Sequence, residues 1–225
     1  SERTGGESYV ENCRCNPVEE WSIYKELFAQ PAPARILASA GWGAQDRNQP
    51  QLAVIYRSEA LRFNPGDIQA REGRAFTLSS LDQTDWAISE GNALIALAPQ
   101  DENSYEARGR AYEMAGQIDQ AIQDYEQALR INPDDSWGLA ALADLYVHTK
   151  HDWDQGWAIT NRLIQLHPED QRGWLLRADI QKGQPRDGLD QTVSDFIARF
   201  GNGPDQQVWI AQMKSPQPAT APTAH

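Results

Sequence analysis

The sequence predicts an all-α solenoid of about five stacked helix pairs, closed at each end by a capping helix. Three observations carry that expectation. Pro65, Pro99, Pro133 and Pro168 recur at intervals of 34, 34 and 35 residues. Each ends a similar apolar run, such as Ala60-Leu61-Arg62-Phe63-Asn64 before Pro65 and Ala128-Leu129-Arg130-Ile131-Asn132 before Pro133. No segment shows sustained period-2 alternation between turn dipeptides, so strands are not expected. A fixed period of this length marks units that cannot bury an apolar face alone and therefore stack.

Taken in order, residues 1–17 lack helical periodicity and read as an extended arm. Val18–Gln30 reads as the first capping helix: Trp21, Tyr24, Leu27 and Phe28 share one face, Pro17 suits its first turn, and Pro31 ends it. Units follow at about 34–67, 68–101, 102–135, 136–170 and 171–204. The third is the clearest. Gly116 sits where its first helix must stop and turn. Ala121, Tyr125, Ala128 and Leu129 form an i, i+4, i+7, i+8 stripe for its second helix. Small Gly109 and Ala121 let the two helices approach closely. Pro133 stops the second helix, because proline disfavours helical geometry in the residue before it.

The neighbours keep the phase with variations. Unit 34–67 has no good turn glycine. In unit 68–101 the run Gly73-Arg74-Ala75-Phe76 echoes Gly109-Arg110-Ala111-Tyr112, which sets its first helix about two residues early and lengthens its turn. Unit 136–170 holds one extra residue near His151. Unit 171–204 is degenerate, with a Gly183-Gln184-Pro185 turn. A closing helix is expected at 205–213, with Val208, Trp209 and Met213 facing inward. Residues 214–225 are Pro/Ala/Thr-rich and read as a flexible tail.

The residues Tyr105, Gly109, Ala111, Tyr112, Gly116, Ala121, Tyr125, Ala128, Leu129 and Pro133 closely resemble the tetratricopeptide repeat, a helix–turn–helix unit of 34 residues. The resemblance covers roughly residues 34–204. It implies a right-handed superhelical solenoid whose concave groove is lined by positions 2, 5, 9 and 12 of each first helix. On this sequence those positions are Arg35, Ala38, Trp42 and Gln45 in the first unit. They are Asp67, Ala70, Arg74 and Thr77 in the second, if Gly73-Arg74 sets its phase. The later units contribute Asn103, Glu106, Arg110 and Glu113, then Trp137, Ala140, Asp144 and Val147, then Arg172, Leu175, Asp179 and Lys182. The candidate partner-binding set is Arg74, Asn103, Glu106, Arg110, Glu113, Trp137 and Asp144. Members of the family that grip a carboxylate use a Lys/Asn/Arg clamp. Here Glu106 stands where a clamp lysine is expected and Arg110 where an asparagine is, so that function is not carried over.

Other constellations read as structural. Cys13 and Cys15 are too few to hold zinc; free thiols, a strained local bridge or links to another chain are the open readings. His148 and His151 fall where unit 136–170 must turn, so the turn reading is preferred to a metal or acid/base cluster. Asp134-Asp135 and Glu169-Asp170 follow helix-ending prolines and read as helix starts. Trp153, Trp157, Trp174 and Trp209 read as packing residues. Trp42 and Trp137 read as possible binding anchors. No phosphate loop, nucleophile elbow or kinase signature is present, so no catalytic residue and no cofactor is assigned.

The formal net charge is −12. That disfavours nucleic acid, whose binding rests on Lys and Arg neutralising phosphates, and mildly favours a basic partner. The mean hydropathy of −0.66 and the lack of any apolar run near ~18–20 residues argue against membrane insertion. The Ser1 start, the tail and the close cysteine pair lean toward an exported bacterial protein, with the cytoplasm open. Two functions follow. The favoured one is a non-enzymatic interaction module or assembly scaffold that takes a polypeptide in the groove. The other is an accessory or regulatory subunit of an enzyme, or a small-ligand binder.

Overall fold

The helices that begin at Ile68, Glu102, Ser136 and Gln171 each start three residues past a proline, and the residue between, two past the proline, is an aspartate that caps the helix. Asp67, Asp101, Asp135 and Asp170 each accept a hydrogen bond from a backbone N–H of the first turn, which satisfies one of the donors a helix start leaves free. A computed structural model describes residues 34–184 and 188–215. The capping helix expected at 18–30, the arm, both cysteines, the end of the tail and the Arg35 side chain lie outside the described residues.

Eleven α-helices occur among the described residues, and no strand. They are α1 Ala34–Asp46, α2 Pro50–Phe63, α3 Ile68–Ser80, α4 Thr84–Leu97, α5 Glu102–Met114, α6 Ile118–Ile131, α7 Ser136–Asp144, α8 Trp153–Leu166, α9 Gln171–Gly183, α10 Leu189–Phe200 and α11 Pro204–Lys214, with a π-helical turn Leu145–Thr149 continuing α7. The chain divides into two compact units, one ending at Asp124 and one beginning at Tyr125, so the boundary falls inside α6.

In the first unit, α1 packs on α2, α3 on α4, and each first helix packs on the next: α1 on α3 and α3 on α5. Leu37, Ala44, Ala53, Tyr56, Ala60, Leu61 and Ala70 form one buried cluster, and Val54, Leu78, Ala87 and Ala111 another. Small residues recur where helices cross. Ala53, Ala87 and Ala121 are all fully buried, as are Ala75 and Ala111. In the second unit, Leu139, Ala140 and Leu163 pack at the α7–α8 crossing. Trp174, Val193, Phe196, Ile210 and Met213 close the end formed by α9, α10 and α11.

Three sequence expectations are revised. Unit 68–101 has no early helix and no long turn: α3 and α5 have the same length, each followed by a three-residue turn, so the Gly73-Arg74 echo is out of register by two. The extra residue of unit 136–170 lies in the π turn, where Lys150 N donates to Leu145 O at 2.9 Å. In α11, Val208 is exposed while Ile210 and Met213 are buried. Five residues separate Val208 from Met213, which puts them about 140° apart on a 3.6-residue helix.

Candidate functional site

The register decides which side chains share a face. Counting from the start of each first helix, Trp42, Phe76 and Arg110 occupy the same position in α1, α3 and α5. The Arg110 guanidinium lies 4.2 Å over the Phe76 ring, which places these two side by side. Phe76 and Trp42 are among the exposed large hydrophobics, at 39% and 48%. Arg110 makes no ion pair among the described residues, although Glu106 stands one turn before it. Its guanidinium therefore keeps donors available beside an aromatic surface.

Beneath Trp42 lies Arg57, from α2, with its side chain fully buried. Its guanidinium stacks 4.6 Å from the Trp42 ring. Nη1 donates to Gly73 O at 3.0 Å and to Thr77 Oγ1 at 2.5 Å, and Nη2 donates to Gln45 Oε1 at 2.7 Å. Two glycines make the space: a Cβ on Gly41 would meet Arg57 Cγ at 2.8 Å, and one on Gly73 would meet Nε at 2.5 Å. Burial, with no carboxylate partner among the described residues, lowers the Arg57 pKa to about 10. It remains a cation at neutral pH and sits under the face rather than on it.

Acidic groups flank the ladder. Glu72, on α3, has its carboxyl pushed up to about 7 by burial and by Asp101 and Glu102. Glu106 is buried and Glu113 half-buried, while exposed Asn103 donates from Nδ2 to Asp101 Oδ1 at 3.1 Å.

The sequence-predicted residues therefore separate. Asn103, Glu106, Arg110 and Glu113 lie together on α5. Arg74 does not join them: it donates to Ser58 of α2 and pairs with Glu90 of α4. The counterpart of Arg74 is Arg108, which reaches Asn92 of α4 at 2.9 Å and grips both Asp124 oxygens at 2.7 Å. Both arginines join successive second helices, and the position taken by Arg74 in the sequence reading belongs to Phe76. Phe76 was within reach of sequence reasoning, since it stands 34 residues before Arg110.

Trp137 and Asp144 belong to the second unit. Trp137 packs edge-on against Tyr125, ring centroids 5.5 Å apart at 77°. Asp144 accepts at 2.8 Å from His148 Nδ1, whose Nε2 lies 3.4 Å from Asp179. Asp179 also pairs with Lys182 at 2.5 Å. The two aspartates raise the His148 pKa to about 9 through these hydrogen bonds, Asp144 first and Asp179 second. His148 thus bridges two repeats as an imidazolium, while His151 sits in the turn. Among the described residues no group of three or more His, Cys, Asp or Glu is arranged to hold a metal ion. No helix among them is long and apolar enough to cross a membrane.

Helix pairs in a 34-residue rhythm, capped and turned alike, define a repeat scaffold. The tetratricopeptide repeat family model matches residues 113–180, so that stretch of the chain is tetratricopeptide repeat. The chain is 24% identical over 175 residues to human tetratricopeptide repeat protein 6, which matches 77% of this chain. It is 26% identical over 173 residues to cellulose synthase 2 operon protein C of Komagataeibacter xylinus, which matches 70% of it. The chain spans only 33% of the length of the first and 13% of the second. Among solved structures, a thermophilic TPR protein of Thermus thermophilus superposes with a TM-score of 0.65 at 19% identity, covering 80% of this chain and 98% of that one. A tetratricopeptide repeat protein of Parabacteroides merdae gives 0.60 at 16% identity, covering 80% and 72%. The tetratricopeptide fold serves protein–protein interaction in general, and proteins built on it are generally non-enzymatic.

Proposed function

We propose that the face of the first unit carrying Trp42, Phe76, Asn103, Glu106, Arg110 and Glu113 binds a polypeptide segment of another protein, and that the chain is a non-enzymatic interaction module or assembly scaffold. The observation that carries this is the Arg110–Phe76 stack. An exposed aromatic ring and an arginine that makes no ion pair among the described residues lie against each other. Arg and large aromatics are the residues on which binding energy most often concentrates. Trp137 and Asp144 give the second unit a candidate contact of its own.

The test is a peptide-display selection against the full chain. Selected binders should lose more than ~1 kcal/mol of affinity against Arg110→Ala and Phe76→Ala, with melting transitions nearly unchanged. Binders that hold both variants as tightly as the parent chain overturn the assignment. An accessory subunit or small-ligand binder is the other reading; selection that yields no peptide at all would favour it.

A further inference from the structure

We propose that residues 18–30 of this chain dock on α1, with Ile23, Tyr24 and Leu27 laid over Ile36, Ser39, Ala40 and Gly43. The later first helices turn one face to the second helix that precedes them, through their third, sixth, seventh and tenth residues. In α3 the third residue, Ala70, shares a buried cluster with Leu61 of α2. The sixth, Gly73, leaves the space that Arg57 fills, and the seventh, Arg74, donates to Ser58 at 3.2 Å. In α5 the seventh, Arg108, donates to Asn92 of α4. In α9 a Cβ on the third, Gly173, would meet Ile164 of α8 at 2.9 Å. The third positions are covered accordingly. Ala70 is 1% exposed and Ser104 0%, and Gly138 and Gly173 are buried.

In α1 the same face is open. Its third residue, Ile36, is 56% exposed; Ser39 is exposed, and Ala40 and Gly43 are half-buried. The four stand at i, i+3, i+4 and i+7, on one side of the helix. A large apolar residue beside three small ones offers the ridge and groove by which helices pack. Trp42 points about 120° around the helix from Ile36, so this face is distinct from the one assigned above to a partner.

The rhythm of the chain names the occupant. Pro31 stands 34 residues before Pro65, so the proline series continues upstream. In that register Ile23, Tyr24 and Leu27 take the places of Arg57, Ser58 and Leu61, the α2 residues that meet α3. The sizes are complementary. Where α3 brings a long Arg74 to a small Ser58, α1 offers small Ala40 to a large Tyr24. Three residues, 31–33, separate Gln30 from α1, and four join α2 to α3 and α4 to α5. So short a tether raises the effective concentration of the segment at α1 above that of a free copy of the chain.

The test is thermal melting of the full chain and its lysine variants. On an open face, Ile36→Lys exchanges one exposed side chain for another and leaves the melt unchanged. On a covered face it should lower the melting temperature by about 5 °C, as should Leu27→Lys. The double variant should lose little more than either single one, because both remove the same contact. Trp21→Lys, outside the docking triplet, should add to Ile36→Lys. Hydrogen exchange of the amides at 18–30 should rise in Ile36→Lys while that of α5 holds, which separates undocking from unfolding. The melting temperature should stay constant over about a hundredfold range of protein concentration, whereas a second copy seated on α1 would make it rise. An unshifted Ile36→Lys, full additivity with Leu27→Lys, or a concentration-dependent melt overturns the proposal.

Discussion

At the residue scale, Asn48, Asp82, Gly116 and His151 hold positive φ angles of 57°, 60°, 71° and 54°, each in the middle of the three-residue turn within a helix pair. The left-handed region is costly for most residues, and Gly, Asn, Asp and His are the types that enter it most readily. A turn that seemed to lack its glycine thus uses an equivalent. Nothing lies within 4 Å of a Cβ built on Gly116, so a substitution there isolates the backbone term. Gly116→Ala should cost ~1 kcal/mol and Gly116→Asn clearly less, read as denaturation midpoints. Equal losses would mean that the turn is not held in the left-handed region. The opposite case is Ala121, fully buried at a helix crossing. Ala121→Leu should cost ~1–3 kcal/mol by overpacking, and an unchanged midpoint would show the register to be wrong.

At the scale of elements, the π turn Leu145–Thr149 places its own His148 opposite Asp179 on α9. Its folded pKa of about 9 stands above the ordinary value of about 6.5. The folded state therefore binds the proton more tightly. The stabilisation is fully present below about pH 6.5 and is lost as pH rises through about 9. Melting temperature should fall between pH 7 and 9.5 in the parent chain, and fall less in His148→Gln. Glu72 has the same direction of shift in a carboxyl, raised to about 7 from about 4.3. The folded state again holds the extra proton, so stability declines as pH rises from about 4.5 to 7. Glu72→Gln should raise the melting temperature at pH 8 and leave it nearly unchanged at pH 4.5. A larger gain at the acidic end would reverse the assignment.

At the scale of the whole molecule, the boundary between units runs through a continuous helix. Ending the chain at Asp124 removes Tyr125 and Ala128, both fully buried, and leaves α6 without its second half. A fragment ending at Asn132 should show more helix per residue by circular dichroism, and a higher melting temperature, than one ending at Asp124. Equal melting would mean that the first unit is complete without the rest of α6.

The sequence by itself determined the helical class, the 34-residue period, the helix starts at Asp135 and Asp170, the Gly116 turn and the packing of Ala121, Tyr125 and Ala128, whereas Asp67, read as a groove position, is a helix cap. The legible features follow from short-range geometry: a proline or glycine constrains its own backbone, and a 3–4 residue stripe defines a face. Trp42 as an exposed aromatic and Trp174 as a buried one were legible on the same grounds. What only the tertiary structure decided is which arginine faces which neighbour. Arg74 and Arg110 each follow a glycine and look equivalent in a local window. Yet Arg74 bridges α2 and α4, while Arg110 lies over Phe76. Two residues of register turn a side chain by about 200° around its helix, and contacts with the neighbouring helices choose between those directions. The buried Arg57 was missed for the same reason. Its site is assembled from Gly41, Gln45, Gly73 and Thr77, on two different helices, and no single stretch of sequence contains it.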